Sequence, residues 1–437
     1  MQKEVIESVD ISQLRLGLYV VLDIGWLSHP FPTSSFKLTN PNQIDTLRSL
    51  GLKSVKVDWS RSDAVEETGP AAAQTPLQAA QAAARAAAEQ LAAEKAGRQA
   101  MERAERARML ATQQKSLQVC EKRYLETGKL YRQVQDISTA KPKDAAQQSS
   151  AMVASMLTDM AAAGEISIRL LSESAGEKSA QHPVNVMIVS LLLARAMGLP
   201  APEMQELGVA AFLHDIGKQQ VPDRVRSLVD GFNAAETRLY QEHVSFGVQA
   251  AKAMGLSTAA LLAIAQHHEG HDGSGFPKRS KGDEISPLGR ILSVVNRYDN
   301  LVNPARASAA LTPHEALAAI FSQYKAQCEP SVLSAFIRMM GIYPPGSVVQ
   351  LSDERYALVV AVNSTRPLKP SVVVHEPRVP RHEALVMDLE KMPELSIRRS
   401  VKPSLLPAAS LDYLAPRLRV NYFFEASDAV EPSEAAA

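Results

Sequence analysis

The sequence predicts a multidomain, mainly α-helical protein that is built around an all-α helical bundle. Three observations support this fold class. The chain has 437 residues, which is more than a single hydrophobic core usually holds. Apolar residues recur at helical spacing through the middle of the chain, whereas short alternating stretches occur near both ends. An alanine-rich stretch, typical of a long solvated helix, separates the first of these regions from the middle.

Changes in composition divide the chain into five parts. We expect a small α+β N-terminal module at 1–66, an Ala-rich helical linker at 67–117, a helical domain at 118–340, a small β-rich C-terminal appendage at 341–425 and a disordered tail at 426–437. The tail is expected to be disordered because it is acidic and alanine-rich, and because chain ends are commonly poorly ordered.

The N-terminal module is predicted from two strands and one helix. Residues 17–24 and 53–59 are rich in β-branched and aromatic side chains, which is typical of strands. The helix between them has clear end signals: Asn40 can cap it, Pro41 fits its first turn, and Gly51 follows its end. These patterns predict a small helix packed on a sheet.

The linker is predicted to be one long helix. Thr75-Pro76-Leu77-Gln78 has the form of a capping box with proline at the first helical position. Alanine, Glu, Gln, Lys and Arg, which dominate the stretch, are the strongest helix formers. Heptads of apolar residues are not sustained. A solvated spacer and a dimerising coiled coil that would make the protein a homodimer both fit this pattern.

The helical domain carries histidines at positions that would point inward. In a helix near 236–254, Tyr240, His243 and Val244 fall on one apolar stripe, so His243 faces the core. Ser257 can cap the following helix, and that helix would deliver the adjacent pair His267-His268 to the same interior. The appendage is expected to contain strands because residues 343–351, 356–362, 371–375 and 385–389 alternate or are β-branched.

Histidines and aspartates in the helical domain indicate a metal site. The stretch 211–218 ends an apolar helix with His214-Asp215 and places Lys218 shortly after the pair. His243, the pair His267-His268 and the glycine-rich loop 272–277 follow. Neutral imidazoles and carboxylates are suitable ligands for first-row divalent metals, and one Asp can bridge two ions. We therefore expect the domain to be organised around metal ions.

Charge, cysteine content and hydropathy argue against several other classes of protein. The sequence has 47 basic and 47 acidic residues, so charge gives no signal for a nucleic acid polymer or an anionic membrane as partner. Cys120 and Cys328 lack metal-ligand spacing, and a reducing, cytoplasmic location is expected. The sequence contains neither the apolar core of a signal peptide nor a run of about twenty apolar residues that could span a membrane.

These motifs together resemble the HD-GYP domain, a branch of the HD metal-dependent phosphohydrolases. The resemblance covers about residues 150–330, and the motifs that carry it are His182, His214-Asp215-Ile216-Gly217-Lys218, His243, His267-His268-Glu269 and Gly275-Phe276-Pro277. The first part of the chain resembles the uncharacterised module that often precedes this domain. The resemblance implies an all-α HD-type bundle that hydrolyses cyclic di-GMP, a bacterial second messenger, to pGpG or GMP. It also implies two or three divalent ions, commonly iron or manganese.

The resemblance assigns roles to individual residues. The expected metal ligands are His182, His214, Asp215, His243, His267, His268 and Asn296. Asp215 would bridge the ions, and Lys218 would lie near the scissile phosphate and stabilise its developing charge. The expected substrate contacts are Lys218, Gly275, Phe276, Pro277 and Arg306.

Three departures from the family pattern leave alternatives open. Lys178 occupies the position of an acidic residue that three-metal members have, and Glu177 is displaced by one position, which favours two ions. Asn296 replaces the last aspartate ligand, and a neutral amide oxygen is a weaker ligand. The family's Gly-Tyr-Pro motif is replaced here by Gly-Phe-Pro, which removes a hydroxyl group. The sequence thus predicts a cyclic di-GMP phosphodiesterase. The alternatives are a catalytically impaired module that binds cyclic di-GMP or a signalling protein, and a phosphohydrolase for another nucleotide.

Overall fold

The computed structural model of the protein describes residues 6–25, 28–64, 76–173, 178–226, 232–363 and 366–426. The chain divides into two compact units, 1–97 and 98–437. It is mostly helical, with β-sheets near its N- and C-terminal regions, which confirms the predicted class in outline. The five-part division stays a prediction, and its expected disordered tail lies outside the described residues apart from Ala426.

The first unit contains a four-stranded antiparallel sheet and one short helix. The elements are β1 (Ile6–Asp10), β2 (Tyr19–Val21), β3 (Ser35–Lys37), α1 (Pro41–Ser49) and β4 (Ser54–Asp58), and the strand order is β1-β4-β2-β3. Asn40 caps α1 in a capping box with Gln43, as its position before Pro41 predicts. Leu47 of the helix is fully buried together with Val20 and Val57 of the sheet, so the helix closes one apolar face of the sheet.

The predicted linker is part of one helix, α2 (Pro76–Ile137), which continues beyond the expected end at residue 117. Every residue from 80 to 105 is exposed, in agreement with the alanine-rich, charged composition. From residue 120 onward one face becomes buried, and Cys120, Tyr124 and Tyr131 are core residues. The predicted cap Thr75 lies outside the described residues, and dimerisation through this helix stays a prediction.

A helical bundle forms most of the second unit. Its helices after α2 are α3 (Pro142–Ala162), α4 (Lys178–Ala196), α5 (Ala201–Leu213), α6 (Ala234–Met254), α7 (Thr258–Gln266), α8 (Pro287–Val302), α9 (Pro313–Ser322) and α10 (Pro330–Met340). Helix α4 packs on α5 and α8, and α7 packs on α5 and α8. Ser257 caps α7 as predicted, because its Oγ accepts a hydrogen bond from the backbone N–H of Ala260 at 3.1 Å.

A seven-stranded antiparallel sheet lies in the same unit. It consists of β5 (Ile166–Leu170), β6 (Val348–Leu351), β7 (Tyr356–Asn363), β8 (Ser371–Val374), β9 (Val386–Asp388), β10 (Ile397–Ser400) and β11 (Tyr422–Ala426), with α11 (Ala408–Leu414) before the last strand. Strand β5 comes from the stretch predicted to be helical, and it pairs with β7 and β11. Ile166, Ile168 and Leu170 alternate along β5 and are buried, which is strand periodicity that the surrounding helices obscured.

Within the described residues, no helix is both long enough and apolar enough to cross a lipid bilayer.

Candidate metal centre

The predicted His/Asp residues come together inside the helical bundle. They form two groups that share Asp215: His182, His214 and Asp215 in one, and Asp215, His243, His267 and His268 in the other. Within each group the potential ligand atoms lie within 4.8 Å of one another. His182 is near the start of α4 and His243 is inside α6, whereas His214 and His267 directly follow α5 and α7. Four different helices therefore deliver the cluster.

Gly217 allows the turn that carries Asp215 to approach α6 closely. A Cβ atom on Gly217 would lie 2.1 Å from the carbonyl oxygen of His243 and 2.3 Å from the backbone nitrogen of Gly247. Real side chains do not tolerate such contacts, so only glycine fits at position 217. The close approach brings Asp215 beside His243.

The carboxylate of Asp215 divides its two oxygens between the two groups. Its Oδ2 is 3.4 Å from Nε2 of His182 and 3.4 Å from Nε2 of His214. Its Oδ1 is 3.6 Å from Nε2 of His243 and 3.8 Å from Nε2 of His267. One carboxylate between two histidine groups is an arrangement that can bridge two metal ions.

Three of the histidines are oriented by their own helices. The Nδ1 atoms of His214, His243 and His267 donate hydrogen bonds to the backbone carbonyl oxygens three residues earlier, those of Ala211, Tyr240 and Ile264. Because Nδ1 carries the proton, Nε2 is left unprotonated and faces the cluster. Metal-ligating histidines are commonly held in this way.

His182 is oriented by a distant carboxylate instead. Its Nδ1 is 2.6 Å from Oδ2 of Asp299, which is buried in α8. The other carboxylate oxygen accepts hydrogen bonds from Nδ2 of Asn185 at 3.0 Å and Nδ2 of Asn303 at 2.9 Å. A carboxylate behind a ligating histidine fixes the ring and increases its basicity. Sequence analysis did not predict that Asp299 orients His182.

Burial and neighbouring charges shift the pKa values of three of the histidines and of Asp215. Burial lowers the pKa of His243 to about 4 and holds the pKa values of His267 and His268 well below the ordinary 6.5. Burial would raise the pKa of Asp215, but the neighbouring His214 and Lys218 more than offset this and hold it well below 3.8. At neutral pH the imidazoles of His243, His267 and His268 are therefore neutral and the carboxylate of Asp215 is ionised, which are the states that bind a divalent metal.

Two buried polar atoms at the centre fit a metal ion. Oδ1 of Asp215 and Nε2 of His268 have no hydrogen-bond partner among the described residues. An unsatisfied buried polar group costs about 1–3 kcal/mol, so a ligand is expected at both atoms. Both atoms belong to the group that contains His243 and His267. The residues present thus fit a divalent metal ion.

Lys218 lies directly beside the bridging carboxylate. Its Nζ is 2.6 Å from Oδ2 of Asp215 and 5.6 Å from the ring centroid of Tyr240. Burial would lower the pKa of Lys218, but the Asp215 carboxylate reverses this and raises it above the ordinary value. The ammonium group is therefore charged at neutral pH at the edge of the cluster.

Asn296 borders the cluster but uses its amide elsewhere. Its Nδ2 donates to the carbonyl oxygen of His267 at 3.3 Å, and its Oδ1 accepts from Nδ2 of Asn300 at 2.9 Å. Its role as a metal ligand stays a prediction. Glu177 and the side chain of Lys178, which bear on the number of ions, lie outside the described residues.

A cavity of about 1,160 Å³ opens onto the cluster, which exceeds the roughly 300–1,000 Å³ common for small-molecule sites. Lys218, Gly275 and Phe276 line it, whereas the predicted contacts Pro277 and Arg306 are not among its lining residues. Phe276 stacks on the ring of His268 with centroids 4.4 Å apart. The wall also contains three arginines that sequence analysis did not select: Arg226, Arg297 and Arg419.

Two known domain families match parts of the chain. Residues 165–332 match the HD domain, and residues 6–170 match a domain of unknown function, DUF3391. The second match extends past the predicted N-terminal module through α2 and α3. The two matches agree with the resemblance that the motifs predict, an HD domain that follows an uncharacterised module.

Two similar proteins are both named cyclic di-GMP phosphodiesterases. The chain is 28% identical over 376 residues to the cyclic di-GMP phosphodiesterase PA4108 of Pseudomonas aeruginosa, covering 84% of this chain and 85% of that protein. It is 30% identical over 153 residues to the cyclic di-GMP phosphodiesterase response regulator RpfG of Xanthomonas campestris, covering 34% of this chain and 40% of that protein. These relatives confirm the predicted resemblance to the HD-GYP type.

Among solved structures, the chain is similar to Bd1817, described as a HDG"Y"P protein, from Bdellovibrio bacteriovorus. The two chains are 15% identical with a TM-score of 0.39, over 76% of this chain and 98% of that one.

Proposed function

We propose that the protein is a metal-dependent phosphodiesterase that hydrolyses cyclic di-GMP to pGpG, to GMP or to both. The observation that carries this proposal is the Asp215 carboxylate, whose two oxygens face two separate histidine groups. The names of the relatives from Pseudomonas aeruginosa and Xanthomonas campestris support cyclic di-GMP as the substrate.

The proposed cofactor is a pair of divalent ions, iron or manganese, which Asp215 would bridge. His182 and His214 would hold one ion, and His243, His267 and His268 would hold the other. Such ions supply an activated water and neutralise phosphate oxygens. Asn296 is proposed as a further, weaker ligand, which requires its amide oxygen to turn away from Asn300.

The chain's own groups would bind and orient the phosphodiester. Lys218 lies 2.6 Å from the bridging carboxylate, so its ammonium group can contact a phosphate that approaches the cluster. Gly275 allows its loop to pack closely, since a Cβ there would lie 2.3 Å from the backbone nitrogen of Gly270. Phe276, stacked on His268, presents an aromatic face to the cavity on which a guanine base can stack.

The test is hydrolysis of cyclic di-GMP by the full chain loaded anaerobically with Fe(II) or Mn(II), together with its metal content. Replacing Asp215 with Asn (Asp215→Asn) removes the bridging charge, which is worth several kcal/mol, so we expect activity to fall by at least about 1,000-fold. The matched control is Asp283→Asn, because Asp283 is fully exposed and pairs only with Arg290 among the described residues. It should hydrolyse like the wild type.

One observation favours a second candidate, a cyclic di-GMP receptor without turnover. Asn296 stands where the family has an aspartate ligand, and its amide is already bonded to Asn300 and to the backbone of His267. The same experiment separates the two candidates. Metal and tight cyclic di-GMP binding without hydrolysis would overturn the phosphodiesterase and leave the receptor, whereas hydrolysis excludes the receptor without turnover.

A further inference from the structure

A short segment far along the chain reaches the cavity beside the metal centre from outside the matched HD domain. The HD match ends at residue 332, but Arg419 lines the cavity, and Val420 and Asn421 are buried beside α4 and α8. These residues directly precede strand β11. Through Arg419, the C-terminal segment 419–422 therefore contributes to the wall of the cavity.

The backbone of this segment is tied to the residues that support His182. The N–H of Val420 donates to Oδ1 of Asn303 at 2.9 Å. Its carbonyl oxygen accepts from Nδ2 of Asn303 at 2.9 Å and from Nδ2 of Asn185 at 2.8 Å. Both asparagines also donate to the Asp299 carboxylate that orients His182. The segment thus has a fixed position relative to the metal cluster.

Asn421 fixes the segment on its other side. Its Oδ1 accepts hydrogen bonds from Nε2 of Gln181 at 2.6 Å and from the hydroxyl of Tyr124 at 3.2 Å. Tyr124 and Asn421 are both buried, so these bonds do not compete with water. Arg419 is therefore carried on an anchored backbone.

The guanidinium of Arg419 differs from those of the other two arginines in the cavity wall. Arg226 pairs with Asp223 at 2.5 Å, whereas Arg297 lies over the ring of Tyr324, 4.8 Å from its centroid, in a cation–π contact. Arg419 donates to Oε1 of Gln181 at 3.3 Å, a neutral partner, and has no carboxylate partner among the described residues. An unpaired cation in a concave site attracts an anion.

We propose that Arg419 is a substrate-binding residue that donates to the second, non-scissile phosphate of a cyclic dinucleotide. This proposal rests on the proposed phosphodiesterase function. A cyclic dinucleotide carries two phosphodiester groups, and only one of them can lie at the Asp215 cluster beside Lys218. The other phosphate, held in the same cavity, needs its own counter-charge. A planar guanidinium binds phosphate oxygens in pairs, which suits this role.

The test compares a substrate with two phosphates with a substrate that has one. Arg419→Gln removes the charge, and a hydrogen bond to a charged group is worth about 1.5–3 kcal/mol, so KM for cyclic di-GMP should rise by about 10- to 100-fold. Its kcat, its metal content and its KM for bis(p-nitrophenyl) phosphate should stay at wild-type values. Arg419→Lys keeps the charge without the paired donors and should give an intermediate KM. The control is Arg398→Gln, because Arg398 is exposed and pairs with Glu354.

Each other outcome overturns the proposal in a recognisable way. An equal rise in KM for both substrates, or a lower metal content, would show that Arg419 supports the fold rather than binding the second phosphate. An unchanged KM for cyclic di-GMP would exclude the contact while leaving the phosphodiesterase intact. If the wild type does not hydrolyse cyclic di-GMP, the equilibrium Kd for cyclic di-GMP tests the contact instead. The proposal is overturned if the wild type does not bind cyclic di-GMP, or if Arg419→Gln binds it as tightly as the wild type.

Discussion

The histidines of the metal centre are held in two different ways. His214, His243 and His267 are fully buried, and each bonds to a carbonyl oxygen in its own preceding turn. The side chain of His182 is 21% exposed, and it is held by Asp299, 117 residues away in the chain. One part of the site is therefore oriented by local helix geometry, and the other by long-range packing.

This difference shows where each half is vulnerable. A histidine that bonds to its own helix is correctly oriented once that helix is packed, so its orientation depends on burial alone. His182 depends in addition on Asp299, and through it on Asn185, Asn303 and the C-terminal segment 419–422. Perturbations of burial should affect the first half, and perturbations of the buried polar network should affect the second.

The largest expected effect concerns the fully buried histidines: the stability of the metal-free protein should depend on pH. Burial lowers the pKa of His243 from 6.5 to about 4. Between these pH values the unfolded chain binds a proton that the folded, metal-free chain does not, so the free energy of unfolding decreases as the pH falls. A shift of this size corresponds to about 3 kcal/mol. Urea denaturation of the metal-free protein, followed by far-ultraviolet circular dichroism, measures it.

The variant that checks this assignment is His243→Gln, which lacks the titrating group and should show a smaller loss of stability over the same range. His382→Gln is the control, because His382 is 80% exposed. If His243→Gln loses as much stability as the wild type on acidification, the buried imidazole is not the cause.

The next effect concerns His182. Asp299→Asn leaves one acceptor oxygen where the carboxylate has two, so either His182 or the pair Asn185 and Asn303 loses its acceptor. Changes behind a metal-ligating histidine typically cost 10- to 100-fold in metal affinity or activity, and we expect a loss in that range. Metal titration and the hydrolysis rate measure it, with Asp283→Asn as the control. Full activity in Asp299→Asn would mean that His182 needs no orienting partner.

The smallest effect concerns His268, which, in the described part of the chain, is oriented neither by a carbonyl oxygen of its own helix nor by a distant carboxylate. Its Nε2 has no partner among the described residues, and its ring stacks on Phe276 at an interplanar angle of 21°. Phe276→Leu removes an aromatic pair worth about 0.5–1.5 kcal/mol, so kcat/KM should fall by about 3- to 10-fold. Phe276→Tyr keeps the ring and should remain near the wild-type value. Equal losses in both variants would show that the ring face is not what matters.

Sequence reasoning was sufficient for the locally determined features. The cap at Asn40, the cap at Ser257 and the inward direction of His243 each depend on residues a few positions apart, and the structure contains all three. The convergence of the His/Asp residues was also predictable, because the motif spacing resembles a known family. The two caps and the direction of His243 do not depend on which distant segments pack together, whereas the convergence of the His/Asp residues does and was predicted from the resemblance alone.

Features that depend on long-range pairing were not predictable in this way. Strand β5 is five residues long within a helical region, and its strand conformation depends on pairing with β7 and β11, which follow much later. The role of Asp299 and the position of Arg419 in the cavity wall have the same origin. A single sequence contains no local signal for such pairs, since their partners lie more than a hundred residues away.

The bond between Tyr124 and Asn421 has a consequence for how the protein is made. These two residues are 297 positions apart, and the segment that follows Arg419 completes the network behind His182. During synthesis, the helices that carry His214, His243 and His267 leave the ribosome well before that segment does. A nascent chain can therefore build the locally held part of the metal centre first. His182 can gain its full support only when the segment 419–422 is in place, so an unfinished chain would lack part of the network behind His182.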